Sequence, residues 1–343
     1  MSGHSGQVQA QETAEDPGVL EKDRKGAPLE LEGVHKRFVQ GQRVAHILRG
    51  ATLTVGASEI VALVGESGSG KSTLARTVMR LYTPEEGAMR FAGQDVTRVA
   101  GRALRAYRER VQMVFQDPFA SLNPTHPVGT ILRRSLPRSR RGLSSRERDA
   151  LFREVLSQVG LTPPDNFLQQ YPHELSGGQR QRVALARSLA GRPDLVLADE
   201  PVSMLDVSLR LGVLNLMLSL NETYGIGYLY ITHDLASARY VASRIAVMYA
   251  GEIVEEGPAQ RVVEKARHPY TQLLIQAAPD PERRGSELDE AVFTGEPPDL
   301  AQEIRGCPFQ FRCQAVHDRC REEIPAAVDV GGGQRVKCHL YTS

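Results

Sequence analysis

The run Gly65-Glu66-Ser67-Gly68-Ser69-Gly70-Lys71-Ser72 spaces its glycines so that successive backbone N–H groups can turn toward phosphate oxygens. In such a loop Lys71 reaches the β- and γ-phosphates and the Ser72 hydroxyl meets Mg²⁺; Thr73 follows in the same nucleotide-binding set. The bland alternative, an accidental glycine/serine loop, is opposed by the strand before it and the helix after it. Farther along, Leu195-Val196-Leu197-Ala198 is an apolar run that ends in Asp199 and Glu200. Buried carboxylates need a compensating cation. Asp199 fits the metal side of the site and Glu200 the residue that polarises an attacking water. Alone, the two would read as a solvated strand-end pair.

Other positions gain meaning only from their order. His233 ends the apolar run before Asp234, where an imidazole would sense a γ-phosphate; a lone strand-end histidine would be structural. Gln116 follows Val111–Phe115 and would contact Mg²⁺ and the attacking water. Phe38 is a candidate for stacking on adenine, with a core role and the aromatics Tyr82 and Tyr107 as competitors. Ser176-Gly177-Gly178-Gln179 opens a long Arg/Leu/Ala-rich amphipathic segment, which makes a second helix N-terminus suited to phosphate. Two phosphate cradles for one nucleotide imply a site shared between two subunits.

These residues require a scaffold of buried strands alternating with helices. Strand patterns fall at Leu29–Phe38, His46–Val55, Ile60–Val64, Gly87–Val96 and Val111–Phe115. They return at Leu195–Ala198, Tyr228–Ile231 and Ile245–Tyr249, with a helix over Lys71–Leu81. The alternation predicts an α/β fold on a largely parallel sheet, with a helical insertion over about residues 117–191. Residues 1–28 read as a disordered polar tail without a secretory signal. After about Val263 prolines at 269, 279, 281, 297 and 298 mark a separate C-terminal extension. No internal repeat is visible, so one cassette per chain is expected.

The order of phosphate loop, Gln116, LSGGQ, LADEP, Leu205-Asp206 and His233 resembles the ATP-binding cassette (ABC) family over roughly residues 29–262. The resemblance implies a P-loop NTPase core of RecA type with an antiparallel β subdomain and a helical subdomain. It also implies a head-to-tail dimer, with ATP between Gly65–Ser72 of one cassette and Ser176–Gln179 of the other and with Asp206 in a loop crossing the interface. DPFASLNP after Gln116, ADEPVSMLDVS and HPYTQLL at 268–274 resemble the peptide/nickel importer branch. Its ATPase subunits pair with a second ATPase subunit, here expected to be a different chain. Two transmembrane permeases and an extracytoplasmic substrate-binding protein complete such a transporter. The implied place is the cytoplasmic face of the cell membrane, held there by the permeases.

All four cysteines, Cys307, Cys313, Cys320 and Cys338, lie in the extension. In a cytosolic chain this clustering suggests metal rather than disulfides. The spacing leaves open an iron–sulfur cluster, zinc with His317 or His339, or no metal. CPFQFRC…RC…CHL resembles the cysteine region of some ATPases in the importer branch, which implies a [4Fe–4S] cluster; Phe311 stands where the family usually has proline.

Bulk properties narrow the alternatives. Lys and Arg total 42 against 41 Asp and Glu, so no basic footprint for nucleic acid exists. That weighs against a soluble ABC ATPase of translation or DNA repair. Intact Glu200 and His233 weigh against a metal-sensing regulatory subunit that binds ATP without turnover. No apolar run approaches the ~20 residues that span a bilayer. Arg133, Arg134, Arg138, Arg140 and Arg141 read as a solvated loop, with anionic lipid contact as the alternative.

Overall fold

The computed structural model describes residues 28–41, 43–117, 121–277, 298–302 and 304–342. The expected polar tail, the prolines at 279, 281 and 297, and part of DPFASLNP lie outside these residues. A four-stranded antiparallel sheet has the order β2-β1-β4-β5, formed by Leu29–Gln40 (β1), Arg43–Val55 (β2), Glu86–Phe91 (β4) and Gln94–Asp95 (β5). The expected strand at His46 therefore begins earlier and forms a hairpin with β1, in which Phe38 faces Ala45.

The second sheet has eight strands in the order β11-β12-β10-β9-β3-β8-β7-β6. Its centre is parallel, as the alternating pattern predicts: Arg244–Tyr249 (β9), Ile60–Val64 (β3), Gly227–Thr232 (β8), Leu195–Asp199 (β7) and Val111–Val114 (β6). These strands are short, β-branched and apolar, and both of their faces are covered. Val61, Leu63, Leu195, Leu197, Leu229 and Ile231 enter the core shared with the four-stranded sheet. The intervening residues Ala62, Val64, Val196, Ala198, Tyr228 and Tyr230 enter a larger core on the other face. The period of two thus assigns each strand residue to one of two layers.

Helices link the strands. Lys71–Val78 (α1) follows the phosphate loop directly and Gly101–Arg110 (α2) precedes β6. The insertion contains Val128–Ser135 (α3), Ser145–Gln158 (α4), Pro164–Gln169 (α5) and Gly177–Leu189 (α6). Val207–Tyr224 (α7) follows β7, Leu235–Val241 (α8) follows β8, and Ala259–Glu264 (α9) follows the strand Glu252–Pro258. Arg133, Arg134, Arg138 and Arg141 are exposed, as a solvated run requires, but the expected loop is partly helical: Arg133 and Arg134 lie in the last turn of α3 and Arg138 opens a 3-10 turn.

The change of composition after Val263 is accompanied by no break in the sheet. Beyond Pro269–Ala277 (α10) and Asp318–Glu322 (α11), strands Ala327–Asp329 (β11) and Arg335–Lys337 (β12) extend the sheet from Glu252–Pro258 (β10). The junction is held by charge. Lys337 Nζ donates to Glu252 at 2.8 Å, and Arg335 pairs with Glu256 at 3.3 Å. Buried Glu255 accepts from the backbone N–H groups of Arg267 and His268 and from Gln334 Nε2 at 2.6–2.9 Å. A buried carboxylate with this many donors locks the extension to the cassette.

Candidate nucleotide-binding site

An open cleft of about 720 Å³ lies at the carboxyl ends of the parallel strands, lined by the phosphate loop together with Ile47, Gln116, Glu200 and His233. This is where ligands bind in open α/β sheets. The loop owes its shape to close packing. A Cβ at Gly65 would lie 2.3 Å from the Met248 carbonyl oxygen, so only glycine lets the chain turn there against β9.

Lys71 is buried, and its Nζ donates to the carbonyls of Gly65 and Glu66, each at 2.7 Å. Burial pushes its pKa down, while the carboxylates of Glu200, Asp199 and Glu66 oppose the shift. The ammonium thus waits on two loop carbonyls, which a phosphate oxygen can replace. Ser72 Oγ donates to Asp199 Oδ1 at 3.1 Å. Burial raises the Asp199 pKa, against the stabilising hydrogen bond from Ser72. A buried acid beside a hydroxyl is a donor set that suits Mg²⁺.

Three side chains expected to surround an attacking water converge. Gln116 Nε2 donates to Glu200 Oε2 at 3.0 Å, and His233 Nδ1 lies 3.3 Å from Glu200 Oε1. Glu200 is mostly buried whereas His233 is open to solvent. The Glu200 backbone has φ 46°, and its N–H donates to the Ile231 carbonyl at 2.9 Å. A non-glycine residue in this left-handed region costs about 1–3 kcal/mol. It turns the chain off β7 and aims the carboxylate into the cleft.

Ser176–Gln179 and Asp206 do not line this cleft. They form a second surface. Ser176 caps α6 by accepting from Gln179 N–H at 3.3 Å, and Gln179 Oε1 accepts from Ser176 N–H at 2.9 Å. Gly178 passes close to α7, where an added Cβ would lie 3.2 Å from Leu209 Cδ2. Asp206 caps α7 by accepting from Leu209 N–H at 2.9 Å. That bond and one from Ser208 hold its carboxyl below the usual range. The second phosphate cradle and the expected interface aspartate therefore share a neighbourhood.

Phe38 is also absent from the cleft lining. Its ring packs edge-on against Tyr82 with centroids 5.0 Å apart, and Lys36 Nζ lies 5.2 Å from its centroid. Tyr107 is buried and donates to the Val78 carbonyl, which removes it as a stacking competitor. Ile47, absent from the expected set, lines the cleft and sits on the same hairpin as Phe38.

The four cysteines are free thiols; Cys307, Cys320 and Cys338 are buried. Burial pushes Cys307 up to about 12, with Cys320, Cys338 and Cys313 adding to the shift. Burial likewise raises Cys313 and Cys338. Among the described residues no group of three or more His, Cys, Asp or Glu side chains is placed to hold a metal ion. The expected [4Fe–4S] cluster therefore finds no support in this geometry: the thiols are neighbours without converging as a ligand set.

The chain matches the ABC transporter family over residues 48–203 and the oligopeptide/dipeptide transporter C-terminal region over residues 254–320. It is 42% identical over 295 residues to the oligopeptide transport ATP-binding protein AppF of Bacillus subtilis (strain 168), covering 85% of this chain and 89% of that protein. It is 43% identical to y4tS of Sinorhizobium fredii, named as a peptide ABC transporter ATP-binding protein, over 87% of this chain and 83% of that one. The dimeric post-hydrolysis structure of the ATP-binding cassette MJ0796 bound to ADP and Pi aligns with a TM-score of 0.60 and 32% identity. It covers 67% of this chain and 98% of that one. None of these similarities supports the translation, repair or metal-sensing alternatives. Among the described residues no helix is long and apolar enough to cross a membrane. The chain belongs to the ATP-binding subunits of ABC transporters, in the branch that carries the oligopeptide/dipeptide C-terminal region.

Proposed function

We propose that this chain hydrolyses ATP to drive import of peptides through two permease subunits at the cytoplasmic face of the membrane. An extracytoplasmic binding protein would deliver the solute. The convergence of Gln116 and His233 on Glu200, facing Lys71 across one cleft, carries the reading. Water attacks the γ-phosphorus as the bond to the β–γ bridging oxygen breaks; Glu200 orients that water and takes its proton. Lys71 exchanges its two carbonyls for phosphate oxygens. His233 reports whether the γ-phosphate is present by hydrogen bonding to it. Ser72, Asp199 and Gln116 would hold Mg²⁺, which would supply charge neutralisation at the phosphates.

The exposed cap at Ser176, outside its own chain's cleft, supports donation of Ser176–Gln179 and Asp206 to a partner's nucleotide. The importer resemblance favours a different ATPase subunit as that partner. Residues 29–262 would act as the cassette, with about 117–191 as its helical subdomain and 263–343 as the importer-type extension. A [4Fe–4S] cluster in that extension would require the cysteines to draw together; iron content and visible absorption of anaerobically purified chain decide this. The test of function is ATP-dependent uptake of radiolabelled peptide into vesicles with the co-purified permeases. Peptide-stimulated ATPase activity without accumulation would overturn import.

A further inference from the structure

Glu66, the second residue of the phosphate loop, is held from behind by the C-terminal extension. Arg312 donates from Nη1 to Glu66 Oε2 at 2.8 Å and from Nη2 to Oε1 at 3.0 Å, across 246 positions of sequence. The Arg312 side chain is 3% exposed and that of Glu66 22%. The backbone is also held, because Glu66 N–H donates to Tyr270 Oη at 2.8 Å. Tyr270 is fully buried, its ring 4.5 Å from that of Tyr249 and 5.5 Å from that of Phe309. The Arg312 guanidinium lies 5.9 Å from the centroids of Tyr249 and Phe309. It is presented by a turn in which Gln310 N–H donates to the Cys307 carbonyl and Arg312 N–H to the Phe309 carbonyl.

Charge gives this arrangement a purpose. Glu66 and Glu200 put two carboxylates on a cleft meant for a polyanion, with Lys71 as the cation among its lining residues. A free Glu66 carboxylate would repel nucleotide phosphates. It would also compete for the Lys71 ammonium, which already rests on the Glu66 carbonyl. A two-pronged guanidinium pair fixes a carboxylate in direction as well as charge. Arg312 does so from a place outside the cleft lining.

We infer that Arg312 and Tyr270 are positioning residues of the phosphate loop: Tyr270 anchors its backbone at Glu66, and Arg312 withdraws and neutralises the Glu66 carboxylate so that Lys71 and the loop amides face the nucleotide. The inference rests on the reading of the cleft as a nucleoside triphosphate site. It makes the importer-type extension part of nucleotide binding.

The test uses the full chain and titrates Mg-ATPγS into wild type, Arg312→Gln, Glu66→Gln, the double variant and Arg312→Lys. Arg312→Gln weakens binding by roughly fivefold or more, as loss of a charge-assisted bond predicts. In the Glu66→Gln background the same change costs less than about twofold, because no carboxylate remains to neutralise. Arg312→Lys restores part of the affinity. A merely structural arginine would cost the same in both backgrounds, and that result, or no loss at all, overturns the inference. If Arg312→Gln fails to fold, Tyr270→Phe removes only the hydroxyl acceptor. It should weaken binding about two- to fivefold with little change in the melting temperature of the nucleotide-free chain; unchanged affinity rejects the anchor and the inference with it. A wild-type chain that does not bind Mg-ATPγS would instead reject the nucleotide reading of the cleft.

Discussion

Ser72 Oγ donates to Asp199 Oδ1 at 3.1 Å and so joins the first turn of α1 to the end of β7. The bond brings together the two groups suited to a divalent cation, at a carboxyl whose pKa burial has raised. A cation there would reverse the cost of that burial. Asp199→Asn is therefore expected to weaken Mg-ATPγS binding by about tenfold or more and to change metal-free ATP binding by less than about twofold. Calorimetric titration with and without EDTA separates the two. Equal losses in both conditions would place Asp199 elsewhere in the site.

Glu200 supports a different outcome, because it contacts Gln116 and His233 rather than the loop. Glutamine at position 200 keeps the size and a hydrogen-bonding oxygen but loses the base. Glu200→Gln should bind Mg-ATP with wild-type affinity while single-turnover phosphate release slows by about 10²–10⁴-fold. Retained turnover would remove Glu200 from its role as base.

The phosphate loop, Asp199, Glu200 and His233 are legible in sequence because each is a local pattern: an apolar strand followed at once by the functional residue. The strands are legible for the same reason, since a buried parallel strand must be short and apolar. Contacts between distant segments leave no such trace. HPYTQLL marks a branch of the family, yet nothing local in it says that the Tyr270 hydroxyl meets Glu66 N–H, 204 positions away. Arg312 sits among cysteines and draws attention to them rather than to itself. Phe38 is legible only in part: its aromatic character is local, but its edge-on packing against Tyr82 is set by the hairpin's path. The composition change at Val263 suggests separation, whereas the charges of Arg335 and Lys337 find partners on β10 and continue the sheet.

Ser176 has two separable jobs. As the cap of α6 it satisfies the Gln179 N–H, and Ser176→Ala should lower stability by about 1 kcal/mol in urea unfolding. As an exposed surface beside Gly177 it should meet the partner's nucleotide. Ser176→Arg should keep nucleotide binding by the isolated chain, because the residue does not line its own cleft. It should abolish ATP-dependent association with a partner cassette, read by sedimentation velocity in a Glu200→Gln background. Association that survives the substitution would argue against a shared site.

His268 makes the junction with the extension sensitive to acid. It is 1% exposed, and its Nδ1 accepts from Tyr270 N–H at 3.0 Å. Protonation at Nδ1 would turn that acceptor into a donor and place a charge in the interior. Burial accordingly lowers its pKa from 6.5 to about 3. Above pH 6.5 both folded and unfolded chains hold a neutral imidazole, so stability there does not depend on this group. As pH falls from 6.5 toward 3, the unfolded chain binds a proton that the folded chain refuses, and stability declines by up to about 1.4 kcal/mol per pH unit. His46, lowered to about 4 mainly by burial, adds a decline in the upper part of the same window. His268→Asn replaces the ring with a group that can still accept the Tyr270 N–H but does not titrate. Urea unfolding at several pH values between 6 and 4 should show the variant's stability falling less steeply than the wild type's by about one proton. The His46 contribution cancels in that difference. Parallel slopes would mean that His268 takes up its proton in the folded state without penalty.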